Sequence, residues 1–228
     1  MNRSFSVWAV IPAYNEERMI GQVVQDVIPR VSAIVVVDDC SHDKTAHEAE
    51  CAGAHVVRHP LNLGQGAALQ TGTEYALSHN ADIIVHFDAD GQHSAEDIPA
   101  LTQPIQEGKV DIVLGSRFLK ENDIPFVRKI FLRGAILFTW IFSGIKLTDT
   151  HNGLRAFSGS AAQKIIIQEN RMAHASEIIH CIAQSKLRHS EIPVTIQYTA
   201  YSLSRGDSSL KRTFQVVGRL MWKKLFAD

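Results

Sequence analysis

Short runs rich in valine and isoleucine punctuate the first half of the chain, at residues 7–11, 34–37, 55–58, 83–87 and 110–114. They do not alternate apolar with polar positions, and strands of that kind are stable only where both faces of their sheet are covered. The intervening stretches carry the helical period instead. Residues 17–27 place Met19, Ile20, Val23, Val24 and Val27 on one face, and residues 66–78 do likewise with Ala67, Leu69, Ala76 and Leu77. Strand and helix alternating in this way predict βαβ units, a largely parallel sheet and an α/β fold.

Beyond Gly115 the pattern changes. A basic, proline-containing stretch leads into a long apolar helix candidate at 128–145 and then the polar loop Thr148-Asp149-Thr150-His151-Asn152-Gly153. A helix over 174–185, a strand near 192–198 and a basic amphipathic helix from Ser208 onward finish the chain. With no internal repeat and no low-complexity tract, the sequence reads as one domain with two functional halves, 1–115 and 116–228.

At 228 residues, 45% of them hydrophobic and 21% charged, the chain has room for one large core. Its 23 Lys and Arg against 24 Asp and Glu offer nothing to wrap a nucleic acid. The balance is uneven, however. Residues 117–146 and 203–228 each hold six basic side chains against two acidic ones, so the remainder is strongly acidic. Cys40, Cys51 and Cys181 have no metal-ligand spacing, and their odd number argues against a disulfide framework and for a reducing compartment. The N-terminal apolar run is too short for a signal-peptide core, and the apolar stretch 134–145 is shorter than the roughly 18–20 residues that cross a bilayer. A cytoplasmic location without a membrane span is expected.

In an open α/β sheet, ligands bind beyond the carboxyl ends of the strands. Those positions are unusually polar here: Pro12-Ala-Tyr-Asn-Glu-Glu17, Asp38-Asp-Cys-Ser-His-Asp43 and Asp88-Ala-Asp-Gly-Gln-His93, with the turn Asn62-Leu-Gly-Gln-Gly66 between them. Asp88 and Asp90, two carboxylates at i and i+2 with the Gln92 amide two further on, are hard oxygen donors of the kind Mg²⁺ or Mn²⁺ takes while bridging to phosphate. Capping of a helix near Ser94 is the plainer use of the same pair. Gly64-x-Gly66 lacks the third glycine of a dinucleotide fingerprint and follows the third strand, not the first.

Taken in order, Pro-Ala-Tyr-Asn-Glu-Glu, Val-Asp-Asp-x-Ser-x-Asp-x-Thr, Asn-x-Gly-x-Gly-x-Ala, Asp-Ala-Asp-Gly-Gln-His, Gly-Ser-Arg-Phe and Asn-Gly-Leu-Arg-x-Phe make residues 6–210 resemble a family 2 glycosyltransferase. The closest branch is that of the polyprenyl-phosphate (dolichol-phosphate) mannose and glucose synthases. The resemblance implies a GT-A (Rossmann-like) fold, a mostly parallel sheet with helices on both faces, plus the C-terminal amphipathic helix. It implies a UDP- or GDP-sugar donor lying against Pro12, Ala13, Tyr14, Glu16 and Asp39, with Gly66 in the adjoining turn. Asp88, Asp90 and Gln92 would address metal and diphosphate. Arg117 and Arg133 would face anionic groups, and Asp149 and Arg155 would bracket the Asn152-Gly-Leu element on the acceptor side. Two positions depart from the pattern. Gln65 stands where the family often has Lys, and the C-terminal Arg and Lys positions hold Leu203 and Ser209, with Arg205 next to the first of them.

The resemblance further implies inversion by single displacement onto a lipid-linked acceptor. An acceptor hydroxyl needs a base, for which Asp149 is the first candidate and His151 the second, whereas a polyprenyl phosphate needs none. Segments 128–145 and 208–226 mix basic and large apolar residues, including Trp140 and Trp222, which suits an interfacial membrane helix at the inner face of the cell membrane; packing on the core or self-association is the other use of those faces. A nucleotide-sugar binding protein or a nucleotidyltransferase on the same scaffold is the alternative function.

Overall fold

In the computed structural model, the described residues are 4–120, 134, 136, 140, 144–150, 152–171 and 173–197. The Val/Ile runs become strands β1 (Val7–Ala13), β2 (Ala33–Asp38), β3 (His55–Arg58), β4 (Ile83–His86) and β5 (Ile112–Ser116). Between them lie helices α1 (Ile20–Val27), α2 (Thr45–Cys51), α3 (Gln65–Ser78) and α4 (Ile98–Gln106); then follow β6 (Arg155–Ser158), α5 (Gly159–Ala162), α6 (His174–Ser185) and β7 (His189–Pro193).

Seven strands form one sheet in the order β3-β2-β1-β4-β6-β5-β7, and all neighbours are parallel except that β6 runs antiparallel to both β4 and β5. This is the mixed, mostly parallel α/β arrangement expected of a GT-A fold. Val10, Val35, Ile84 and Ile112 pack in one cluster with Leu69 and Ala76 of α3 and Ile178 and Ile182 of α6. The alternate residues Ala9, Ile11, Val36, Val85 and Val113 are equally inaccessible to solvent, which is why no apolar/polar alternation marks these strands. Each fully buried Val or Ile side chain contributes roughly 1.5–3 kcal/mol.

Three sequence expectations shift. The helix expected from Glu17 begins at Ile20, after the turn in which the Met19 and Ile20 N–H groups donate to the Glu16 carbonyl. The strand expected near 192–198 is β7 at His189–Pro193, followed by a lone antiparallel bridge from His93 to Ile196. β6 has no counterpart in the sequence pattern. Of the helix expected at 128–145, Gly134, Ile136 and Trp140 are described and helical, with Trp140 47% exposed. The elements above belong to one compact unit ending at Gln197; the second unit, Tyr198–Asp228, holds the expected C-terminal helix and lies outside the described residues.

Candidate active site

Strand register decides which residues meet. Ala13 pairs with Asp38 and Val10 with His86, so β1, β2 and β4 end at the same edge. Because β6 is antiparallel, its first residue, Arg155, pairs with His86 and with Leu114 near the end of β5. The reversal delivers residues 149, 150 and 152–154 to the edge where the parallel strands finish, which is where such sheets bind ligands.

On the β1–β2–β3 side, the loops are tied to one another. Asn15 and Glu16 donate their N–H groups to Ser41 Oγ at 2.9 Å and Thr45 Oγ1 at 2.8 Å, while His42 N–H returns a bond to Asn15 Oδ1 at 2.9 Å. Asp43 accepts from the N–H groups of Thr45 and Glu17. Burial raises the Asp43 carboxyl, but these hydrogen bonds outweigh it and hold the group below the usual carboxylate range. Asp39, also buried, accepts from Leu63 N–H at 2.8 Å, Gly64 N–H at 2.6 Å and His59 Nδ1 at 2.8 Å, and His59 Nε2 meets Thr71 Oγ1 at 2.9 Å. Pro12, Ala13 and Glu16 are buried beneath these loops, and Tyr14 stands 38% exposed with its ring edge-on to His42.

The glycine turn is a packing device. A Cβ on Gly64, whose φ is +106°, would lie 2.3 Å from the Asn170 carbonyl oxygen, and one on Gly66 would lie 2.0 Å from that of Glu169. Gly66 N–H donates to the Asn170 carbonyl at 2.9 Å, so the donor that a ligand oxygen would need is engaged within the protein. Gly66, expected to line the cofactor, packs its backbone closely against residues 169 and 170.

The β4–β6–β5 side is built differently. Asp88 accepts from Gln65 Nε2 at its Oδ1 and from His93 Nε2 at its Oδ2, both at 3.0 Å. Gly153 lies so close that a Cβ there would meet Asp88 Oδ2 at 2.1 Å. Burial raises the Asp88 carboxyl, yet the His93 hydrogen bond and the charges of His93, Arg155 and His174 hold it below its ordinary value. Arg155 is only 4% exposed, and among the described residues its guanidinium has neither a hydrogen bond nor an ion pair; burial pushes it down to about 10 against the opposing charges of Asp88 and Asp149. Asn152, 3% exposed, fixes its Oδ1 on Leu154 N–H and leaves Nδ2 without an acceptor. An unmatched buried amide costs about 1–3 kcal/mol.

Asp149 is buried with Arg117, accepting from its Nε at 2.6 Å and its N–H at 3.1 Å. The carboxylate expected as a base is therefore engaged as the partner of a cation. Asp90 Oδ1 accepts from Gln92 N–H at 3.0 Å. The oxygens of Asp90 and Gln92 are hard donors of the kind a divalent ion takes alongside phosphate and water; among the described residues no group of three His, Cys, Asp or Glu is placed to hold a metal by itself. His151, Arg133 and Arg205 lie outside the described residues. Sequence reasoning assigned nothing to His59, His93, Asn170, His174 or Glu191; His93 stands within a quoted motif, but the others are brought in by tertiary contact and carry no local signal.

The sequence profile of glycosyl transferase family 2 matches residues 8–166. The UDP-N-acetylglucosamine–dolichyl-phosphate N-acetylglucosaminyltransferase of Methanococcus voltae is 33% identical, over 96% of this chain and 96% of that protein. The undecaprenyl-phosphate mannosyltransferase of Micrococcus luteus is 30% identical, over 83% of this chain and 82% of that one. Among solved structures, glucosyl-3-phosphoglycerate synthase from Mycobacterium tuberculosis, in complex with Mn²⁺, uridine-diphosphate and phosphoglyceric acid, superposes with a TM-score of 0.68 at 19% identity, covering 86% of this chain and 72% of that chain. That likeness concerns the fold, whereas the sequence match concerns descent: the chain belongs to glycosyl transferase family 2.

Proposed function

We propose that the protein transfers a hexosyl unit, with inversion, from a UDP- or GDP-sugar to a polyprenyl phosphate at the cytoplasmic face of a membrane. The observation that carries this reading is Arg155, a buried guanidinium without a hydrogen-bonding partner among the described residues, set between two carboxylates at the ligand edge of the sheet. Such a group calls for an anionic ligand, and both substrates of this reaction supply phosphate oxygens. The relatives' names point the same way, since one combines a UDP-sugar with a dolichyl phosphate.

Pro12, Ala13, Tyr14 and Glu16 line the base and ribose, and Asp39 with His59 holds the flanking loop in place. Asp90 and Gln92 would hold Mg²⁺ or Mn²⁺, which would stabilise negative charge on the leaving diphosphate. Asp88, the other carboxylate of the pair, is fixed by Gln65 and His93. Arg117, oriented by Asp149, and Arg155 receive phosphate oxygens. An acceptor phosphate oxygen then forms the new bond to the anomeric carbon as the old carbon–oxygen bond breaks, and the electron pair leaves with the nucleoside diphosphate. The attacking phosphate is already anionic at pH 7, so no proton has to be removed and no base is required of Asp149 or His151.

No helix among the described residues is long and apolar enough to cross a membrane. The basic stretches 117–146 and 203–228 support adhesion to anionic lipid, each Lys or Arg near the surface adding roughly 1 kcal/mol. The test is turnover of UDP-N-acetylglucosamine, UDP-glucose and GDP-mannose with undecaprenyl phosphate and Mn²⁺, reading both released nucleoside diphosphate and labelled lipid. One donor should be clearly preferred. Binding without release would leave a nucleotide-sugar binding protein, and release of pyrophosphate from a sugar phosphate and a nucleoside triphosphate would make it a nucleotidyltransferase.

A further inference from the structure

Glu191 lies on β7, with β6 and β5 between it and the strand that leads to Asp88, and its carboxylate collects the loop that carries Asp149. Thr148 N–H lies 2.9 Å from both Glu191 oxygens, and Thr148 Oγ1 and Asp149 N–H donate to Oε1 at 2.9 and 3.1 Å. The same Thr148 hydroxyl meets Ser116 Oγ at 2.6 Å, and Ser116 Oγ accepts from Phe118 N–H at 3.2 Å, so the loop and the end of β5 are fastened on both sides of Arg117. Asp149 then holds Arg117 by two bonds to one oxygen. A carboxylate accepting several N–H and O–H donors fixes a loop more firmly than neutral acceptors would, because charge-assisted hydrogen bonds are roughly twice as strong.

We infer that Glu191 is a positioning residue for transfer: it sets Arg117, through the Thr148–Asp149 loop, at the point where an anionic oxygen of donor or acceptor must be held. The inference rests on the function proposed above. Glu191 contacts neither Asp90 nor the loops at the ends of β1 and β2 in any described interaction, so its effect is confined to the Arg117 side. A displaced guanidinium weakens the transition state more than it weakens donor binding, because orientation matters most where charge is moving. The stretch that begins with Glu191 also braces the segment after β4: Thr195 N–H donates to Asp97 Oδ2 at 2.7 Å and Gln197 N–H to the Gln92 carbonyl at 2.8 Å. One strand and its extension thus tie the Asp149 loop and the loop of Gln92, and Glu191 is the member that serves Arg117.

The experiment is a double-mutant cycle on the full chain, with Glu191→Ala and Arg117→Lys, assayed with the preferred nucleotide sugar, undecaprenyl phosphate and Mn²⁺. Glu191→Ala should lower kcat about 10- to 100-fold and leave the donor KM within about twofold. Glu191→Gln, whose amide oxygen still accepts from Thr148 and Asp149, should restore kcat to within about threefold of the parent. In the Arg117→Lys background, Glu191→Ala should cost little more, since the group it orients is already altered. Additive losses in the double variant, a rise confined to donor KM, or a Gln variant no better than Ala would each overturn the inference. Should Glu191→Ala fail to fold, Thr148→Val removes the shared hydroxyl with little change of shape; a kcat loss that vanishes in the Arg117→Lys background supports the inference, and no loss overturns it. An Arg117→Lys variant with parental turnover would instead strike at the proposed function, which separates the two failures.

Discussion

The two flanks of the site treat their polar groups in opposite ways. On the β1–β2–β3 side, Asp39, Asp43, Ser41, Asn15 and His59 are matched to partners within the protein, one loop bonding the next. On the β4–β6–β5 side, Asn152 Nδ2 is buried without an acceptor among the described residues, and the Arg155 guanidinium, 4% exposed, makes no hydrogen bond to them. A fully matched network stabilises a shape, while a buried mismatch lowers stability and persists where a ligand removes it. On the function proposed above, the first flank is scaffold around the nucleotide and the second is where charge is received.

Arg155 is the sharpest place to break that contrast. Arg155→Met should lower turnover at least about 100-fold yet leave stability within about 1 kcal/mol of the parent, because the desolvation cost it relieves offsets the attraction to Asp88 and Asp149 that it gives up. Urea unfolding and kinetics on the same preparation check it; a large loss of stability would mean that Asp88 and Asp149 hold the fold together through this cation. Asp90→Ala should be nearly as damaging to turnover and should abolish its dependence on Mn²⁺ concentration. Near-parental activity with unchanged metal response would remove Asp90 from the site.

How much of this was legible in the sequence differs between the flanks for a physical reason. Strands covered on both faces must be apolar throughout, so β1, β2 and β4 were marked by composition alone, and α6 at His174–Ser185 by its period. β6 was invisible. It has four residues, starts with a charge, and is a strand only because β4 and β5 offer it hydrogen bonds on both edges. Motif spacing led to Asp39, Gly66, Asp88 and Asp149 as residues of one site, but spacing says nothing about which of their atoms stay open. The hydrogen bonds that engage Asp39 and Asp149 come from Leu63, Gly64, His59 and Arg117, 20 to 32 positions away.

If the braced flank is scaffold, its residues should affect stability before chemistry. Asp39→Ala removes the acceptor for two backbone N–H groups and for His59 and should cost roughly 3 kcal/mol, from unmatched buried donors worth about 1–3 kcal/mol each. Donor KM should rise as the 59–64 loop loosens, while kcat for the remaining folded protein changes little. A variant of parental stability with a collapsed kcat would move Asp39 to the chemical flank.

The smallest effect concerns acid. Asp43 is held below its ordinary value, so the folded protein keeps its carboxylate charged at pH values where the unfolded chain has already bound a proton. The unfolded state then carries more protons, and stability falls as pH drops. The contribution is complete above the ordinary carboxylate value of about 3.8 and is lost as pH falls through the lowered one. Solvent reaches this loop, so screening limits the effect to below about 1 kcal/mol. Denaturant titrations at pH 7 and pH 3 should find that Asp43→Asn has a shallower acid loss than the parent, since the amide accepts hydrogen bonds without titrating. Parallel losses would mean that Thr45 and Glu17 hold the loop equally well around a protonated acid, and the bracing of this flank would then owe nothing to charge.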